Sequence, residues 1–382
     1  MARGQLYQPE SEWQMDARTG ASIRRITSFP AIHHHPFFMI PAYDRAMQWT
    51  VFTSERAGTP QIFVEERETG LLVQLTDRED LSDWSIHPSR DGRYVYFTAG
   101  TAGWRVAIPS GLEEKLVDFV KLADKPSQDK SEVTSPDLAM REDGMVGAAM
   151  GTTAISSCDR YWAVKFNKGE EAQLAIVDTQ TGQAEVILCR DSIAHLQFCP
   201  DDSNLLFYAG PLTDRVWTIQ RDGSANRRLY QRAPGEWITH ETWVPGTREL
   251  ALTDWPKGVR AIHSDTGQER QIATFNAWHP VCSPDGKWMV ADTNFPDIGL
   301  KLFDPHDSTF APITLCYPEA SSMGAHWAGP FPYEHGPIQV NAPQHTHPHP
   351  SFSPDGRFVL YTSDRTGSAQ LYELDLSSVA MQ

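Results

Sequence analysis

Apolar and polar positions alternate along this chain in short runs, broken at regular intervals by turn residues. The last copy is the clearest and reads HPSFSPDGRFVLYTSDRTGSAQLYELDL, residues 349–376. A period of two predicts strands, and Asp-Gly between two such runs predicts a tight hairpin. Earlier copies are VCSPDGKWMVADT (281–293), ETWVPGTRELALTD (241–254) and LQFCPDDSNLLFYAG (196–210). Weaker ones are ISSCDRYWAVKF (155–166), IHPSRDGRYVYFTAG (86–100) and a first unit over 41–77. Seven units of about 40 residues, each with four short strands, predict an all-β fold, a seven-bladed β-propeller forming one domain over residues 1–382.

The pattern also predicts how the ring closes. The seventh unit stops after three strands, at LYELDL, while TGASIRRIT (19–27) looks like the Thr-Gly turn and fourth strand of the other units. That N-terminal strand is expected to complete the last blade and cover its open edge. Residues 119–150 and 317–344 do not fit the repeat and are expected to be long loops. The second of these runs directly into a histidine cluster, which points to function.

Composition adds exclusions. A hydrophobic content of 40% allows a sizeable core and excludes disorder for most of the chain. The formal net charge of −16 argues against nucleic acid or an anionic membrane as a partner. An anionic small substrate then needs a local cationic site. The N-terminal sequence MARGQLYQPESEWQ has no apolar signal region, and no run is long enough to span a bilayer, so a cytoplasmic protein is expected. The 5 cysteines are scattered without metal-ligand spacing and are expected to be reduced thiols, mostly buried.

The histidines are in register with the repeat. His195, His240, His279 and His349 each precede by five residues the turn residues Pro200, Pro245, Pro284 and Pro354. Equivalent positions in different blades sit at equivalent places around the propeller axis. The starts of the innermost strands crowd one mouth of the channel, so four blades should aim a histidine at one small volume. His34, in HHHPFF, is a candidate fifth from blade 1, whereas His87 is out of phase and reads as structural.

Residues 344–349 read Gln-His-Thr-His-Pro-His. On an extended strand His347 and His349 share one face, and Pro348 and Pro350 favour extension. With His279 and the Gln344 side-chain oxygen they make a three-nitrogen, one-oxygen ligand set. Imidazole suits several transition metals, and an amide oxygen tilts the set towards Mn²⁺, with other divalent cations left open. His240 lacks a chelating neighbour and suits general-base work beside a metal. Arg215 begins a strand of blade 4; it fits either a fork onto a substrate carboxylate or a surface ion pair.

At these residues the sequence resembles the oligogalacturonate lyases, polysaccharide lyase family 22. The resemblance runs through most of the chain and is densest from about residue 193 to 376. It rests on QHTHPHPSFSPDG, GPLTDRVWTIQRDGS, ITHETWVPG and AWHPVCSPDG. It implies a cytoplasmic propeller that binds Mn²⁺ and cleaves short, often unsaturated, galacturonides by β-elimination in pectin catabolism. By motif match His279, Gln344, His347 and His349 would be metal ligands, His240 the base and Arg215 the charge-stabilising arginine. His34 and His195 would contact substrate. The blade 1 motif IHHHPFF departs from a His-Arg-Asn type sequence, and the two long loops differ as well. His326, Trp327 and His335 are therefore candidates for an altered subsite. Two alternatives are the same chemistry on another uronic-acid oligosaccharide, and a non-enzymatic propeller resembling the TolB type. The histidine constellation favours the enzyme.

Overall fold

The turns explain why the repeats fold alike. In the last repeat the Ser353 hydroxyl bonds to the Asp355 carboxylate and accepts the backbone N–H of Phe358 at 2.9 Å, while Gly356 has φ +71°. Ser283 bonds in the same way to Asp285 and Trp288, and Gly286 has φ +70°. One hydroxyl thus closes the turn and starts the next strand, and glycine takes the left-handed position without steric cost. Two of the weaker copies keep the geometry with other residues. Met47 (φ 57°) and Asp159 (φ 59°) occupy the glycine position in blades 1 and 3. Asp44 replaces the serine of blade 1 and accepts the Trp49 N–H at 2.7 Å.

The computed structural model describes residues 3–125, 152–169, 171–321 and 346–379. Within them lie seven antiparallel sheets, five with four strands and two with five. This is the expected seven-bladed propeller. Strand runs such as Trp49–Ser54 are buried along their whole length, because each blade is covered on both faces by its neighbours. Clusters of apolar side chains fill the gaps between blades; Val290, Leu302, Val359 and Leu374 join blades 6 and 7, for example. Among the described residues no helix is long and apolar enough to cross a membrane. Cys189, Cys199, Cys282 and Cys316 are buried free thiols, and Cys158 is an exposed one.

The latch is present. Ser22–Arg25 pairs antiparallel with Gln370–Asp375, with Ile23 opposite Leu374 and Arg25 opposite Tyr372. Two strands were not foreseen. Glu12–Met15 adds a fifth strand outside the latch, and Leu6–Tyr7 adds a fifth strand to blade 1. A buried polar network then locks blade 7 to blade 1. Arg24 bridges Glu65 and Glu373, Arg67 reaches Glu373 at 2.5 Å, and Tyr43 donates to Glu373 at 2.9 Å. Both carboxylate side chains have no solvent exposure, so each needs these partners.

Blade 1 departs from the others at its inner strand. His33–His34 pairs with Thr53 and Ser54, and pairing resumes only at Tyr43 opposite Thr50. The excursion between them carries Phe37 and Phe38, both essentially unexposed, into the middle of the ring. Beyond Phe38 lies a cavity of about 350 Å³ lined by Ile40, Phe198, Trp243 and Phe352. The two long loops expected from sequence fall largely on residues outside the described ones, as do Gln344, His326, Trp327 and His335.

Candidate active site and metal centre

Three histidines at the shared repeat position have the same unusual backbone. His195, His240 and His349 have φ of 47°, 50° and 47°. Positive φ is uncommon for residues other than glycine and marks a local requirement. In blades 4 and 5 the cause is visible. The inner-strand register shifts between Ala194 and Gln197 and between Thr239 and Thr242, so each histidine sits in a bulge that re-aims its side chain.

The expected convergence is observed. One ligand atom each of His279, His347 and His349 lies within 4.8 Å of the other two. Ring centres are 4.3 Å apart for His279–His349, 5.5 Å for His279–His347 and 5.3 Å for His347–His349. His240 follows at 4.2 Å from His279, and His195 at 5.8 Å from His240 with nearly parallel rings. Around the mouth the order is therefore the three-histidine cluster, then His240, then His195.

Aromatic side chains wall one side of this site. Phe38 packs against His240, His279 and His349, and Phe37 against His195 and His349. Trp278 meets His240 at 4.6 Å. Burial, helped by the neighbouring rings, holds the His240 and His349 pKa values well below the ordinary value, so both are neutral with a lone pair to offer. Nδ1 of His240 is buried without a hydrogen-bond partner among the described residues.

The donor set fits a divalent cation. The Asp292 carboxylate takes the Nδ1–H of His279 at 2.8 Å, which fixes the tautomer and leaves Nε2 as the ligand atom. Neutral imidazoles gathered around one point in a carboxylate-braced setting are what borderline transition metals require. Gln344, the fourth expected ligand, lies outside the described residues.

Arg215 is buried, not a surface ion pair. It donates through Nε to Glu241 at 2.6 Å and through Nη2 to His195 Nδ1 at 2.9 Å. His34 does not join the cluster as a fifth member. It lies opposite Thr53, its ring rests on Trp84 at 4.7 Å, and Trp84 is what faces His349 at 5.9 Å. His87 is buried elsewhere and its Nδ1 bonds the Pro88 carbonyl at 3.0 Å, as a structural histidine should.

The chain matches the family described as oligogalacturonate lyase over residues 1–379. This protein belongs to the oligogalacturonate lyase family. It is accordingly an enzyme of the polysaccharide lyase class. It is 26% identical to the oligogalacturonate lyase of Dickeya dadantii (strain 3937), with 97% of both chains covered. It is likewise 26% identical to the oligogalacturonide lyase of Pectobacterium atrosepticum, again over 97% of both chains. Among solved structures, an oligogalacturonate lyase in complex with manganese superposes with a TM-score of 0.77 at 22% identity, covering 99% of this chain and 100% of that one. An oligogalacturonate lyase from Vibrio parahaemolyticus gives 0.75 at 20% identity, covering 98% and 99%.

Four contributors to the site escape the sequence pattern. Asp292 stands at the end of the second strand of blade 6, in WMVADT, and nothing local links it to His279. Glu241 follows His240 directly, but its partners come from blade 4. Phe37 and Phe38 were visible only as a departure in the blade 1 motif.

Proposed function

We propose that this protein is a metal-dependent lyase that cleaves short oligogalacturonides by β-elimination, acting in the cytoplasm in the breakdown of pectin. The observation that carries the reading is the three-histidine cluster with the neutral His240 beside it, in a chain of this family.

Elimination removes the proton on C5 of a uronate and expels the oxygen on C4. That proton is weakly acidic while the adjacent carboxylate is a free anion. His279, His347, His349 and Gln344 would hold a divalent cation, with Mn²⁺ the favoured ion, which would supply positive charge against that carboxylate. His240 accepts the C5 proton, as a neutral base in an apolar wall. Arg215 adds positive potential that Glu241 anchors, and His195 lines the next position around the mouth. Phe37, Phe38 and Trp278 form an apolar wall behind the base and the cluster.

One observation favours a variant of the substrate. Where a His-Arg-Asn type sequence would include an arginine in blade 1, this chain reads IHHHPFF and has none. The uronate subsite there lacks that cation, which favours a uronic-acid oligosaccharide of altered composition. The test is a panel of uronic-acid oligosaccharides assayed with Mn²⁺ for change in the unsaturated-uronate absorbance, with loss expected for unsaturated digalacturonate and an initial gain for saturated members. Consumption of the galacturonide supports the reading. Inertness of every galacturonide while another uronide reacts moves the substrate and keeps the mechanism, and inertness of the whole panel removes the lyase reading.

A further inference from the structure

Glu241 is held between two of the candidate site residues, Arg215 and His195. Its side chain has no solvent exposure. One oxygen accepts Arg215 Nε at 2.6 Å, and the other lies 3.6 Å from His195 Nδ1. The Glu241 backbone carbonyl accepts from Gln197 of the neighbouring blade, so main chain and side chain are both tied down. The carboxyl stays below its ordinary pKa: burial alone would raise it, and the Arg215 cation is the foremost group pulling it down.

Arg215 has donors and no acceptor. Its 2.9 Å contact with His195 therefore makes Nδ1 of that ring the acceptor. The proton of a neutral His195 is then on Nε2, on the far edge of the ring from Arg215 and Glu241. Its side chain is 14% exposed, so the ring is not sealed off from the mouth. The same order around the mouth, cluster then His240 then His195, follows the order C6, C5, C4 along a uronate.

We propose that Glu241 is a positioning residue: by anchoring Arg215 it holds His195 as a neutral Nε2–H donor to the glycosidic oxygen that leaves C4. This rests on the proposed lyase reading and deepens it. In the step, the C5–H bond breaks and its proton goes to His240. The electron pair forms the C4=C5 double bond, and the C4–O bond breaks with its pair on oxygen. His195 keeps its proton and stabilises the departing oxygen by a hydrogen bond, because a neutral imidazole is too weak an acid to release it. Water supplies the proton that completes the hydroxyl, and the proton on His240 neutralises the hydroxide left behind.

The test is a cycle of Glu241→Gln, His195→Ala and the double variant, each assayed with Mn²⁺ for kcat, KM and metal affinity. Glu241→Gln is expected to lower kcat about 100-fold, with KM and Mn²⁺ affinity within about twofold of the parent, because Glu241 does not touch the cluster. The double variant should be no slower than His195→Ala, because both remove one interaction. A Glu241→Gln enzyme of parental kcat, or a double variant whose losses multiply, overturns the proposal. Glu241→Asp keeps the charge and serves if the amide variant does not fold; it should lose about 10-fold in kcat, and no loss counts against the proposal. A second readout does not depend on activity. In ¹⁵N-histidine-labelled protein incubated with diamagnetic Zn²⁺, long-range ¹H–¹⁵N spectra should show His195 with its proton on Nε2, and Glu241→Gln should disturb that tautomer. A parental His195 protonated on Nδ1 overturns the proposal even in an active enzyme. A parental enzyme inert on every uronide overturns the lyase reading and leaves the tautomer result to stand by itself.

Discussion

Asp292 holds His279 at two points: its carboxylate accepts the backbone N–H at 2.8 Å and the ring Nδ1–H at 2.8 Å. Main chain and ring are thus fixed by one side chain, and both residues are almost fully buried. The ring cannot flip to offer Nδ1 outward, so the lone pair on Nε2 is permanently presented to His347 and His349. Second partners of this kind make a ligand more basic and pre-set its direction.

Asp292→Asn should therefore weaken Mn²⁺ binding about 10–100-fold without abolishing it, since the three imidazoles remain. Calorimetric titration of metal-free protein with Mn²⁺ measures this directly. The parent should take up about one ion per chain. Unchanged affinity in the variant would show that Asp292 braces the fold and not the ligand.

His240 separates catalysis from metal binding. His240→Ala should abolish elimination while Mn²⁺ stoichiometry and affinity stay at parental levels, because its ring belongs to the neighbouring position and not to the three-histidine group. Activity that survives reassigns the base. Loss of the metal along with activity would mean that His240 is itself a ligand.

The ring closure is a stability determinant. Arg24→Ala leaves Glu65 fully buried without its cation, and Glu373 loses one of two. Removing one partner of such a pair costs about 3–5 kcal/mol. Arg24→Ala should lower the melting temperature clearly, and deletion of residues 1–28 should lower it further. A deletion variant that melts with the parent would refute the latch.

Acid stability should track two buried histidines outside the metal cluster. Burial pulls the His87 pKa to about 3 and the His33 pKa to about 4. In the unfolded chain both protonate near pH 6.5. Between pH 6.5 and about 4.5 the unfolded state therefore binds protons that the native state refuses. Stability is fully present above 6.5 and falls by about 1.4 kcal/mol per pH unit for each such histidine as the pH drops. Denaturant unfolding of His87→Gln across this window should show a slope shallower by that amount. An identical slope would mean that the native His87 protonates as readily as the unfolded one.

The sequence by itself determined the period, and the period determined the fold. Turn residues recur at fixed spacing because one hydroxyl or carboxylate at the turn start and one left-handed residue close the hairpin in blades 1, 2, 3, 6 and 7. That chemistry is local, so it is legible even where Met47 or Asp159 replaces glycine. The same register placed His195, His240, His279 and His349 at the equivalent inner-strand position of four successive blades, at one mouth of the ring. The tertiary structure decided what surrounds them. Whether Arg215 is a surface pair or a buried fork depends on Glu241 from the next blade. Whether His34 joins the cluster depends on Trp84, which takes the place beside His349. The floor made by Phe37 and Phe38 exists because blade 1 interrupts its inner strand, which no repeat pattern encodes. Positions along a strand follow from short-range hydrogen bonding. Contacts between blades exist only after a ring of several hundred residues has closed, and they select the protonation state and direction of each side chain at the mouth.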